Sequence, residues 1–124
     1  DVLKKCHGKV VYLEFWASWC GACRKEMQYA HDLSDKFADK DVIFLFISTD
    51  TKHEDWQKAL DKNNICGEQY RIDIKSKPPV QKHFKIRGVP YFILINKNGT
   101  IANPKASWPR YPSAANEIRA ILDK

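Results

Sequence analysis

A chain of 124 residues with 44% hydrophobic and 29% charged side chains has the balance of one globular domain with a real core, which excludes a largely disordered chain. Its formal net charge of +6 is spread over scattered lysines and arginines. No aromatic-interleaved basic stripe or nucleic-acid motif accompanies it, so solubility or acidic partners explain the charge better than DNA or RNA. No apolar run reaches the ~18 residues a membrane span requires.

Residues 1–9 are polar and read as a loose lead-in or short edge element. Val10 to Trp16 is a nearly continuous β-branched and aromatic run, the pattern of a central strand covered on both faces. From Cys20 to Phe37 the spacing changes. Met27, Ala30, Leu33 and Phe37 recur at three- and four-residue steps and predict a helix with one buried stripe. Val42 to Ser48 predicts a second buried strand, parallel to the first across a right-handed crossover. Thr49 to Asn64 reads as a loop followed by a helix through Trp56 and Leu60, and Ile65 to Ile74 as holding a short strand. Pro78-Pro79 breaks the chain, and a turn or two of helix is expected over Val80 to Phe84. Tyr91 to Ile95 is a third apolar strand. Lys97-Asn98-Gly99 then turns it back into Thr100 to Ala102 as a hairpin. After a proline-containing loop over Asn103 to Pro112, Ser113 is expected to cap a final helix that buries Ile118, Ile121 and Leu122. The fold class is therefore α/β, a mixed sheet flanked by helices in a single domain over 1–124, without repeats or linkers.

Four cysteines, Cys6, Cys20, Cys23 and Cys66, are too few to build the fold on disulfides. Cys20-Gly21-Ala22-Cys23 gains meaning from its place, just past a buried strand and at the start of a helix. The first helical turn has unpaired N–H groups and a partial positive charge, which stabilise a thiolate there. Arg24 and Lys25 add positive charge. Thiolate is the form that attacks a disulfide, and a second cysteine one turn on can close an intramolecular bridge. A permanent bridge across so short a loop would constrain the unfolded chain little, so redox activity is the better reading. Gly21 is expected to let the turn form and to leave room for a substrate.

Phe15-Trp16-Ala17-Ser18-Trp19-Cys20-Gly21-Ala22-Cys23-Arg24-Lys25-Glu26 resembles the active-site segment of thioredoxin-like proteins, and Gly88-Val89-Pro90-Tyr91-Phe92 resembles their proline segment. The resemblance covers nearly the whole chain and is strongest to the bacterial envelope branch named for ResA and TlpA. It implies a thioredoxin fold, with an insertion between the second strand and the cis-proline strand. It implies a thiol-disulfide oxidoreductase that acts on protein disulfides, most naturally as a reductase fed by an external electron donor, with no organic cofactor. Cys20 would be the exposed nucleophile and Cys23 the buried resolving thiol. Trp19, Gly21, Ala22, Val89 and Pro90 would form the substrate surface, with a cis Val89–Pro90 bond facing the cysteines. Ala22 stands where many relatives carry proline, which leaves the direction of electron flow open. The branch also implies export to the envelope or periplasm and a monomer. A chain that starts at Asp1 without a methionine is expected to be a mature product or a fragment cut from a longer exported protein, whose remainder is compatible with a membrane tether.

Two carboxylates stand out. Glu14 interrupts an apolar strand, on the face of Tyr12 and Trp16, at the position where thioredoxins carry an acidic residue beneath the resolving cysteine. It reads either as a proton acceptor for Cys23 or as a carboxylate paired or exposed at a sheet edge. Glu26 matches an acidic residue of the ResA-like branch and reads equally as a solvated helix charge. Cys6 and Cys66 are expected as buried thiols, with mutual pairing as the alternative. A rival function is copper binding or metal delivery through Cys20, Cys23 and a histidine such as His83. Its cysteines would be expected one residue further apart, and four zinc ligands are not in evidence. The Pro-x-x-x-Thr/Ser-x-x-Cys segment of a peroxidase is missing.

Overall fold

The computed structural model of the protein describes residues 2–63, 67–72 and 88–123. A short helix α1 (Val2–Lys5) stands where a loose lead-in was expected; four residues are too few to print a period in the sequence. The strand β1 (Val10–Trp16) is buried along its whole length. It is followed by α2 (Gly21–Lys36), β2 (Val42–Ser48), α3 (His53–Asn63), β3 (Glu68–Arg71), β4 (Tyr91–Ile95), β5 (Ile101–Asn103) and α4 (Pro112–Leu122).

Among the described residues the strands form one five-stranded sheet in the order β3-β2-β1-β4-β5. The β1–β2 and β2–β3 pairs are parallel, and β1–β4 and β4–β5 are antiparallel. The central position of β1 explains its nearly continuous apolar run, because both of its edges are paired and both of its faces are covered. Alternation divides the core. Val10, Tyr12 and Trp16 share one cluster with Cys23, Met27, Ala30 and Leu33 of α2 and with Ala114, Ala115 and Ile118 of α4. Val11, Leu13 and Phe15 join Leu45, Ile47, Ile93, Ile95 and Cys6 on the opposite face.

Between β2 and β4 lie α3 and β3. The turn of helix expected over Val80–Phe84 falls outside the described residues, as do Cys66 and His83. Entry into β3 requires Gly67: its φ is +81°, and a Cβ there would stand 2.5 Å from the Phe44 carbonyl oxygen. The final helix corrects the sequence reading of its start. Tyr111 is the N-cap, Pro112 takes the first turn, and the Ser113 hydroxyl donates to Ser107 Oγ instead of capping. Among the described residues, no helix is long and apolar enough to cross a membrane.

Candidate active site

The parallel pair β1–β2 delivers the chain at one end of the sheet, and the chain turns there into α2. Cys20 is the N-cap of α2, with extended backbone, and its Sγ accepts the Cys23 amide at 3.1 Å. The two cysteines are joined as a disulfide with Cα atoms 5.2 Å apart. The sulfur expected to carry negative charge thus already receives an N–H of the helix start, and as a thiolate it would also be favoured by the helix dipole. The description of Cys20 as exposed needs correction. It is 6% accessible and Cys23 is 0%. The order of access still follows the expectation. Trp19, at 72%, is the exposed aromatic beside the pair.

Gly21 is a second correction. It has no left-handed φ, and a Cβ there would meet nothing nearer than Arg24 Nη2 at 3.8 Å. The turn does not depend on glycine at this position. Ala22 is exposed on the same first turn. Val89–Pro90 is a cis peptide bond. The register Tyr91↔Phe15 puts Pro90 at the sheet end where β1 leads toward the cysteines, and Val89 packs against both core clusters.

Glu14 is wholly buried, paired across the sheet with Phe46 and Phe92, on the face that carries Cys23. It is therefore at the centre of the sheet and not at an edge. Neither carboxylate oxygen has a hydrogen-bond partner among the described residues. Burial, and then the charge of Glu26, hold its carboxyl group well above the usual range.

Glu26 is equally buried, which removes the reading of a solvated helix charge. It is an ion-pair residue. Arg110 Nε donates to Oε2 at 2.5 Å and the Arg110 backbone N–H to Oε1 at 3.3 Å. The Arg110 guanidinium also lies over the Tyr29 ring, 5.2 Å from its centre. The loop that brings Arg110 there is fixed from below. Tyr12 donates its hydroxyl to the Ser107 carbonyl at 2.5 Å, and Glu117 accepts from the Ser107 N–H and hydroxyl and from Asn103.

Sequence reasoning missed a further anchor. The connection Ala17–Trp19 is clasped by Asp50, just past the end of β2. The Ser18 N–H reaches its two oxygens at 3.1 and 3.0 Å, the Ser18 hydroxyl donates at 2.7 Å and the Ser48 hydroxyl at 2.5 Å. Asp50 and Ser48 are buried. Arg24 closes the same loop by donating to the Ser18 carbonyl at 2.7 Å. The available signal was a polar Ser-Thr-Asp run directly at the carboxyl end of a buried strand, the end at which the cysteines also sit. For Arg110 there was none, since its partner is 84 positions away. Among the described residues no group of three or more histidine, cysteine or acidic side chains is arranged to hold a metal ion.

Residues 8–101 match the Thioredoxin-like family. A Bacillus cereus protein named thiol-disulfide oxidoreductase ResA is 33% identical over 105 residues, which cover 80% of this chain and 56% of that protein. The chain thus spans little more than half the length of that relative. The thioredoxin domain of a thiol-disulfide oxidoreductase from Bacteroides vulgatus superposes with a TM-score of 0.85 at 28% identity, over 97% of this chain and 84% of the other. A thiol:disulfide interchange protein from Bacteroides sp. does so with a TM-score of 0.82 at 27% identity, over 98% and 78%. With the cysteine pair at the head of α2, the sheet order and a family match over most of its length, the chain belongs to the Thioredoxin-like family.

Proposed function

We propose that the protein reduces disulfides of other proteins through Cys20 and Cys23, in the envelope of a bacterium, as a single thioredoxin-like domain. The observation that carries this reading is Cys20 at the N-cap of α2 with its sulfur on the Cys23 amide. In the reduced protein the Cys20 thiolate attacks one sulfur of a substrate disulfide. A mixed disulfide forms and the other substrate sulfur leaves as a thiolate. The Cys23 thiol then gives up its proton and attacks Cys20 Sγ. The Cys20–Cys23 bridge closes and the second substrate thiolate is released. The substrate gains two electrons, and with two protons becomes a dithiol. An external dithiol protein returns the two electrons to the pair.

The remaining roles follow from position. Glu14, on the face of Cys23, takes the proton that Cys23 loses when its own carboxyl group is ionised, the burial that raises its pKa making that carboxylate a stronger base. Glu26 acts with Arg110 to hold the 103–112 loop against α2. Trp19, Gly21, Ala22, Val89 and Pro90 form the surface that receives the substrate chain. The same likeness to envelope proteins supports an exported, monomeric protein.

Insulin reduction with dithiothreitol as donor tests the reading. Cys20→Ser should abolish it, and Cys23→Ser should accumulate a mixed disulfide. Faster alkylation of Cys23 than of Cys20 in the reduced protein would reverse the roles. Insulin reduction that survives Cys20→Ser would overturn the proposal.

A further inference from the structure

Positive charge that is scattered in the sequence is gathered around the cysteine pair in the fold. A groove of about 560 Å³ beside Gly21 is lined by Arg24, Lys25 and Arg110, with Tyr29 and no acidic side chain. A second groove, of about 430 Å³, carries Arg24 again with Lys58 and Lys62 of α3, against Asp55 as its single carboxylate. The two meet at Arg24, one residue past Cys23. Five cations from three parts of the chain thus border one end of α2. Glu26 neutralises one of them from beneath, yet Arg110 keeps 38% of its side chain exposed. Trp19 stands beside them as an exposed aromatic.

We infer that this basic ground is a docking surface for an acidic, extended segment next to the disulfide of the substrate protein. The inference rests on the proposed exchange at Cys20 and names the chemistry of its substrate. Single exposed ion pairs contribute little. Several like charges within a Debye length act together, raising the encounter rate and selecting the sign of the partner. Nucleic acid fits the charge but offers no disulfide to the thiol that the charges surround. The exposed Trp19 beside the charges adds an apolar anchor to the one that Tyr29 offers in the groove.

The test uses two disulfide peptides of one sequence, flanked by four aspartates or by four lysines, and hydroxyethyl disulfide as an uncharged probe. At low salt the reduced protein should favour the aspartate peptide over the lysine peptide about tenfold in kcat/KM, and the ratio should fall to within about twofold at 0.5 M salt. Lys58→Glu combined with Lys62→Glu should shrink or invert the ratio, and the milder Lys58→Gln with Lys62→Gln should shrink it. A cysteine-free aspartate peptide should quench or shift the fluorescence of the oxidised protein at lower concentration than its lysine counterpart. Equal rates for both peptides at low salt, or a preference untouched by either double variant, would overturn the docking surface. If hydroxyethyl disulfide and both peptides stay oxidised, the oxidoreductase reading falls. The fluorescence titration still decides whether acidic chains bind.

Discussion

Asp50 and Glu14 are both carboxylates shut away from water near the same cysteine pair, yet they live in opposite surroundings. Asp50, past the end of β2, accepts from one backbone amide and two hydroxyls and ties the loop before Trp19 to the sheet. Glu14, in the middle of β1, has aromatic neighbours across the sheet and no donor among the described residues. A buried acceptor met by several donors is an anchor, and its removal leaves those donors stranded. A buried acceptor met by none holds its proton instead. The site thus combines a fixed frame on the Ser18 side with a titrating group on the Cys23 side.

Asp50→Ala should produce the largest effect. It strands the Ser18 amide and hydroxyl and the Ser48 hydroxyl, and should cost about 2–4 kcal/mol in urea unfolding of the oxidised protein. Cys20 alkylation in the reduced variant should also change, because the loop that leads into the N-cap loses its clasp. Wild-type stability and wild-type thiol reactivity in Asp50→Ala would reduce the clasp to a surface contact.

Glu14→Gln should move stability the other way, and in a pH-dependent manner. The folded-state pKa lies well above its ordinary value of 4.5, so the folded protein binds a proton that the unfolded chain has released. The stabilising effect of that proton is complete below pH 4.5 and is lost as the pH rises through the folded-state value. Above pH 4.5 the wild type should therefore lose up to about 1.4 kcal/mol per pH unit relative to Glu14→Gln. Turnover of the variant should fall near neutral pH. Parallel stability curves for the two proteins would mean that Glu14 does not titrate between the folded and unfolded states.

What was legible in the sequence follows the range of the interactions. The runs Val10–Trp16, Val42–Ser48 and Tyr91–Ile95 announce strands because burial leaves mostly apolar side chains along them, and the three- and four-step stripe of α2 is equally local. Glu14 was legible as an exception within such a run. The pairing of Glu26 with Arg110 and of Ser18 with Asp50 was not, because each joins residues 84 and 32 positions apart through loops that carry no period. The start of α4 was misplaced by two residues because serine and proline both signal a helix beginning, and here the proline sets it.

Gly21→Ala should be the smallest perturbation, and it probes the boundary between the frame and the titrating interior. Gly21 opens α2 directly after the clasped loop, so a glycine required there would mean that the turn into the helix is strained. Its backbone is not left-handed and the space around a new Cβ is open to 3.8 Å. Alanine also restricts the unfolded chain more than glycine does and suits a helix better. Stability should therefore stay level or rise by about 0.5 kcal/mol. Reduction of the uncharged hydroxyethyl disulfide should stay within about twofold, since beyond its chain neighbours the added methyl group meets only the end of the flexible Arg24 side chain. A peptide disulfide, by contrast, must lay its backbone across the first turn of α2 and should be reduced more slowly. A loss of more than about 1 kcal/mol would show that the turn needs glycine after all. Equal rates on the peptide would place the substrate chain elsewhere than over Gly21.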